Sequence, residues 1–392
     1  MLKYRLSLVA LLLWFSSGAF AENNDLKTAN RVVDSVDKKY APDKRTVVFN
    51  LVFTENSGQI LLKGKTNLPD AKRMVLDSLS ILKISYVDSI IVLPSASLGD
   101  KIWGLVTLSV SNLRSKPDHE SELVSQVLMG TPMKILDYTE GWYRIQTPDN
   151  YIGWMDSGGL ARFADSEMDQ WRKSNRYVFN RIFGNAFDTP NRKNKVVSDL
   201  VLNDMFEVES EIKGYLKMRF PDGRIGFVKK KDCLSWLDWT GRKPDVQSIL
   251  WLARQMLGVP YTWGGTSCKT ADCSGFTKTA YYSQGIILAR DASQQAQYGQ
   301  YLDFNETTNL QPGDLLFFGR NAQRIVHVGI YIENGWYIHA SSAFGRVNIN
   351  SIDPKNPAYV LTEKKKLVSA SRILNSLNTD GITLVKDHPW YK

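Results

Sequence analysis

Asp272-Cys273-Ser274-Gly275-Phe276, followed further on by His327-Val328-Gly329-Ile330-Tyr331 and His339-Ala340-Ser341, decides how the carboxyl-terminal part of this chain is read. Asp272 is an N-cap residue type, and the pattern predicts a helix from Cys273 through Ala280 to Gln284, closed by Gly285. That helix carries a thiol in its first turn. A thiol of pKa about 8.5 is mostly protonated at neutral pH, and the partial positive charge of a helix start favours the thiolate.

A nucleophilic thiol needs a base within hydrogen-bond reach. The chain has four histidines, His119, His327, His339 and His388. Ile325 to Ile332 alternates as a strand, and Trp336 to Ala340 reads as its hairpin partner. A three-residue loop, Glu333-Asn334-Gly335, pairs Ile332 with Trp336 and Gly329 with His339, so that His327 and His339 lie on one face as diagonal neighbours. A two-residue Asn334-Gly335 loop would turn them to opposite faces. The longer loop is the expectation. His327 is then the base, and His339 holds its other ring nitrogen. Cys233 and Cys268 lack this setting and read as structural.

Upstream, Ile249 to Leu257 predicts a helix stopped by Gly258, and Pro260-Tyr261-Thr262-Trp263-Gly264-Gly265 a loop whose paired glycines permit close backbone approach. The catalytic domain is placed at 245–392. Before it runs a loose internal repeat. Gly141-Trp142-Tyr143 precedes Pro148-Asp149-Asn150-Tyr151-Ile152-Gly153-Trp154 as Gly214-Tyr215-Leu216 precedes Pro221-Asp222-Gly223-Arg224-Ile225-Gly226-Phe227, the two copies lying 73 residues apart. Short strands around Pro-Asp turns predict two small antiparallel barrels, at 102–161 and 176–237. A small α+β unit, 22–101, precedes them, with strands at Thr46 to Thr54, Gln59 to Thr66 and Ser89 to Leu93 and a helix opened by Pro69. It shows no catalytic grouping.

Residues 1–21 carry Lys3 and Arg5, the apolar run Leu8 to Phe15, and Ala19-Phe20-Ala21, the pattern of a secretory signal. The run falls short of the roughly 20 apolar residues of a membrane span. The expectation is export to the periplasm or cell envelope, with no span after signal removal. Three cysteines in an exported chain argue against a disulfide framework, and Cys268 and Cys273 stand wrongly spaced for zinc, so no metal or cofactor is expected. With 43% hydrophobic and 23% charged residues the chain is globular; its net charge of +9 lacks the dense basic stripe of a nucleic-acid binder. The sequence leaves oligomeric state open.

These motifs, with Leu310-Gln311-Pro312-Gly313-Asp314-Leu315, resemble the NlpC/P60 family of papain-like cell-wall cysteine peptidases over about residues 245–375. The repeat resembles the bacterial SH3 domain, whose opening pattern matches Asn112-Leu113-Arg114-Ser115-Lys116-Pro117 well; Asn185-Ala186-Phe187-Asp188-Thr189-Pro190 of the second copy lacks the Arg. The resemblance implies an α+β chain in which a papain-like domain follows two SH3-like barrels. It implies Cys273 as nucleophile, His327 as base and His339 as orienting residue, with Tyr261, Trp263, Asp272 and Ser274 lining a pocket for the γ-D-glutamyl residue of a murein stem peptide.

The arrangement is similar to YkfC-like γ-D-glutamyl-L-diamino acid endopeptidases, the dipeptidyl-peptidase VI group, which act on stem peptides with a free N-terminal L-Ala. In that group the first SH3 domain walls the cleft, and acidic groups hold the ammonium; the candidates here are Asp291, Glu122 and Tyr151. A buried ammonium needs such a carboxylate partner. The second barrel has Arg224 where the first has Tyr151, and Ala292 stands where the family commonly has a substrate-contacting Ser. Two alternatives stay open: an endopeptidase on intact peptidoglycan anchored by the barrels, and a non-catalytic wall-binding protein.

Overall fold

The computed structural model describes residues 24–56, 59–191, 193, 195–304, 309–359 and 366–392. Residues 1–21, read from the sequence as a secretory signal, lie outside them. The chain divides into two compact units, one ending at Pro42 and resuming over Phe49–Ile91, the other comprising Asp43–Val48 and Val92–Lys392.

In the first unit, helix Asn24–Tyr40 and helix Pro69–Ile81 accompany a three-stranded sheet in the order Phe49–Asn56, Gln59–Thr66, Val87–Val92. Ala71, Val75 and Leu79 recur at helical spacing and are fully buried, as a one-faced helix requires. The first strand begins at Phe49 rather than Thr46, because Asp43–Val48 packs with the other unit. Helix Asn24–Tyr40 carries its apolar stripe on only Ala29, Val33 and Val36 among many charged residues, a signal too thin to read from sequence.

The second unit begins its regular structure with two seven-stranded antiparallel sheets of one topology. In spatial order the first runs Leu160–Phe163, Trp103–Val106, Pro132–Thr139, Trp142–Gln146, Ile152–Asp156, Val110–Arg114, Leu123–Leu128. The second runs Cys233–Ser235, Arg176–Phe179, Met205–Ile212, Tyr215–Arg219, Ile225–Lys229, Phe183–Phe187, Val196–Val201 in the same order, each strand starting 73 residues after its counterpart. Arg224, at the repeat position of Tyr151, does not face a substrate. Its guanidinium donates to Thr107 O of the first barrel and to Asp222, so it fastens barrel to barrel.

The carboxyl-terminal part is built on a six-stranded antiparallel sheet in the order Gln300–Tyr301, Lys366–Arg372, Leu315–Gly319, Ile325–Glu333, Trp336–Ser341, Arg346–Ser351. Helices Val246–Gln255 and Cys273–Tyr282 pack on it, and Phe276, Ala280, Val328, Ile330 and Ile338 meet in one core. The first barrel is locked to this layer by a buried ion pair, Lys278 Nζ to Asp149 Oδ2 at 2.9 Å.

Candidate active site

Asp272 caps the Cys273–Tyr282 helix, its Oδ1 accepting from Gly275 N at 2.7 Å. Gly275 has a steric reason. A Cβ there would stand 1.9 Å from Gly265 O, so the first helical turn lies flat on the Pro260–Gly265 loop only with glycine at this place. Gly264, at φ +81°, likewise allows the loop onto the first barrel, where a Cβ would meet Leu123 O at 2.2 Å. Barrel and peptidase are thus fitted backbone to backbone beside Cys273.

The hairpin has the shorter loop, contrary to expectation. Glu333 pairs with Trp336 across Asn334 and Gly335, both at positive φ, as a two-residue turn of mirror-image type requires. A bulge at Ile332 then shifts the register, so that Tyr331 pairs with Tyr337 and Ile330 with Ile338. The extra residue restores the parity that the short loop would have inverted. His327 and His339 therefore share a face, with His327 Nε2 2.6 Å from His339 Nδ1.

Asn350, which the sequence gave no reason to single out, extends this line. Its Oδ1 lies 2.9 Å from His339 Nε2. The amide orientation follows from its other partners, since Nδ2 donates to Ala358 O and Oδ1 accepts from Asn348 Nδ2. Oδ1 can only accept, so His339 carries its proton on Nε2 and offers a lone pair at Nδ1. His327 then donates from Nε2, and its Nδ1 is left with a lone pair. His327, His339 and Asn350 are 3%, 1% and 3% exposed, so water does not compete for these bonds.

Cys273 is 7% exposed, and its sulfur accepts from Val328 N–H, the residue after His327. Burial and then the Asp272 carboxylate push this thiol up to about 12, against the Val328 N–H and the Arg290 guanidinium. The hydrogen-bond line leaves a proton acceptor at Nδ1 of His327, and Cys273 and His327 line the same cleft.

Cys273 and His327 line a cleft of ≈ 650 Å³ together with Tyr261, Trp263, Asp272, Ser274, Asp291, Glu122 and Tyr151. All the substrate-binding candidates are therefore gathered in one place, but not all are free to bind. Asp272 is used within the wall: Oδ2 accepts from Arg290 Nη2 at 2.6 Å and from Gly264 N, while Oδ1 takes Gly275 N and Arg290 Nη1. Arg290 also reaches Ser274 Oγ and, in the first barrel, Ser125 Oγ. Asp272 thus positions the helix and the loop. From the barrel side, Glu122 Oε1 accepts from Trp263 Nε1 at 2.6 Å. Tyr151 is kept protonated by burial and by the Asp291 carboxylate with which it hydrogen-bonds. Burial pushes Asp291 up, opposed by Arg290 and Arg45. Arg45, absent from the sequence-based candidates, lines the same cleft.

A helix-borne thiol facing a histidine pair on an antiparallel sheet is the construction of a papain-like cysteine hydrolase. Residues 258–365 match the NlpC/P60 family and residues 109–161 the bacterial SH3 domain. The chain thus carries an NlpC/P60 domain behind a bacterial SH3 domain and is a cysteine peptidase. It is 28% identical over 272 residues to dipeptidyl-peptidase 6 of Lysinibacillus sphaericus, covering 65% of this chain and 93% of that one. To the γ-D-glutamyl-L-lysine dipeptidyl-peptidase of Bacillus cereus it is 27% identical over 281 residues, covering 68% and 81%. The fold is shared with an NlpC/P60 family protein from Bacillus cereus at TM-score 0.59 and 23% identity, over 69% of this chain and 99% of that one.

Proposed function

We propose that this enzyme hydrolyses the amide between the γ-carboxyl of D-Glu and the following diamino acid in murein stem peptides whose N-terminal L-Ala is free. The observation that carries the reading is that a single cleft is lined by Cys273 and His327 together with Asp291 and the barrel residues Glu122 and Tyr151. A charged amino terminus can thus be held while the next peptide bond but one meets the sulfur. The name of the Bacillus cereus relative supports the γ-D-glutamyl bond to a diamino acid, and the names of both relatives support a two-residue product.

In the reaction, His327 Nδ1 takes the Cys273 proton and the sulfur attacks the γ-carbonyl carbon. The negative oxygen that develops is held by the Cys273 backbone N–H, which is unpaired within the helix at its first position. The imidazolium returns its proton to the leaving amine of the diamino acid, and L-Ala-γ-D-Glu remains as a thioester on Cys273. Water, deprotonated by the same Nδ1, adds to the thioester carbon and expels the thiolate, releasing the dipeptide. His339 stabilises the imidazolium through Nε2 of His327. The chemistry needs no metal. The secretory pattern of residues 1–21 supports a site of action in the cell envelope.

The test is mass spectrometry of products from L-Ala-γ-D-Glu-diamino acid peptides. A free dipeptide is expected from the wild type, none from Cys273→Ala, almost none from His327→Ala, and a milder loss from His339→Gln. Full turnover by Cys273→Ala would refute the mechanism.

A further inference from the structure

Arg45 lies in Asp43–Val48, the short stretch that leaves the first unit to pack with the second. Its backbone O accepts from Ile152 N–H at 2.7 Å, beside Tyr151 of the first barrel. Its side chain reaches the peptidase, where Nη1 meets Asp291 Oδ2 at 2.8 Å and Ser293 Oγ at 3.0 Å. Asp43 grips the other edge of the guanidinium in a fork, Nε to Oδ1 and Nη2 to Oδ2, both at 2.8 Å. Asp43 is itself held by Gln294 Nε2 at 2.8 Å. Four of the five guanidinium N–H positions are thereby directed, so the group cannot swing aside without breaking several charge-assisted bonds. It forms a bar from barrel to peptidase at the Asp291 part of the cleft.

The bar does not abolish the attraction for a cation. Arg290 and Asp272 neutralise one another in the wall, and the surrounding carboxylates Asp43, Glu122 and Asp291 outnumber the single guanidinium of Arg45. An ammonium can share Asp291 with Arg45, each on its own oxygen, and approach Glu122. An acylated nitrogen gains neither contact and must also find space past the guanidinium.

We propose that Arg45, steadied by Asp43, is the specificity-determining residue that limits this cleft to two residues ahead of the cleaved bond: it fixes the Asp291 carboxylate for a free ammonium and blocks the space a group acylated onto that nitrogen would need. This rests on the proposed function and adds to it the device that separates free stem peptides from those still amide-linked to glycan.

The test compares L-Ala-γ-D-Glu-diamino acid with its N-acetylated form on the full chain. Wild type should cut the free peptide and leave the acetylated one nearly untouched. Arg45→Ala should raise KM for the free peptide by about twofold to tenfold, the scale of ordering one side chain that Arg45 had held in place, with the loss carried by KM rather than kcat. The same variant should gain cleavage of the acetylated peptide, a gain that general loosening of the fold would not produce. Arg45→Lys, which keeps the charge, should recover most of the free-peptide KM, and covers the case in which the alanine variant does not fold. An unchanged ratio between the two peptides in Arg45→Ala, or efficient cleavage of the acetylated peptide by wild type, would overturn the proposal. Calorimetric binding of both peptides to Cys273→Ala protein, with and without Arg45→Ala, reads the same preference without turnover. Preferential binding of the free peptide without hydrolysis by wild type would sink the proposed reaction and leave the selectivity standing; equal binding of both peptides would sink the selectivity alone.

Discussion

Replacing Asn350 by Leu tests whether the hydrogen-bond line behind His327 sets its tautomer. The substitution keeps the branched outline of the side chain and removes the Asn350 Oδ1 acceptor of His339 Nε2, at 2.9 Å in a site closed to water. With that acceptor gone, His339 can carry its proton on Nδ1 instead, pointing it at His327 Nε2 2.6 Å away. His327 must then accept at Nε2 and protonate Nδ1, which leaves nothing to take the thiol proton. Burying an unsatisfied N–H costs about 1–3 kcal/mol, and 1.36 kcal/mol is a factor of ten in population. The expected loss in kcat/KM is therefore about tenfold to a hundredfold, carried by kcat because Asn350 is outside the substrate cleft. Asn350→Asp keeps an acceptor and adds a negative charge that stabilises the imidazolium. It should retain most activity and move the acidic limb of the pH–rate profile upward, since the base holds its proton more tightly. The assay is kcat/KM against pH for the three proteins, with a denaturant melt to confirm folding. A folded Asn350→Leu enzyme with wild-type kcat and profile would refute the tautomer argument, as would an Asp variant as impaired as the Leu one.

Two further outcomes follow from the buried charges. Because burial and Asp272 push the lone thiol of Cys273 up to about 12, alkylation by iodoacetamide near neutral pH should depend on His327, and His327→Ala should slow it by at least about tenfold, a unit of pKa being a factor of ten; equal labelling rates would show that the helix start suffices. Burial would raise Asp149, but Lys278 and Thr147 bring it net below the usual carboxylate range, so its ionised form stabilises the fold above about pH 4 and that contribution is lost as pH falls through the lower, folded value. Lys278→Met leaves the carboxylate without its cation and should cost about 3–5 kcal/mol at neutral pH, shrinking as Asp149 takes up a proton in acid; a denaturation midpoint unchanged at pH 7 would contradict the ion-pair lock.

The legible parts of this protein were those whose cause is local. Asp272, Cys273 and Gly275 belong to one cap and one turn of helix, so their spacing carries their geometry. The 73-residue repeat predicted two barrels because each strand and turn is encoded twice in the same order. The histidine hairpin was harder. The correct face was reached with a three-residue loop, whereas the chain uses a two-residue turn and a bulge, and the two alternatives have the same parity. Bulges leave little trace in a strand pattern because the residue that is doubled can be apolar, as Ile332 is.

By itself, the sequence determined the helix start that carries Cys273, the shared face of His327 and His339 and the order of the layers, because helix caps, strand alternation and turn residues act over a few positions. Only the tertiary structure decided which charges face one another. Arg45 and Asp291 are 246 positions apart, and Asn350 meets His339 across a strand pairing that no periodicity announces. Electrostatic partnership depends on distance in space and on exclusion of water, and both are set when the core closes.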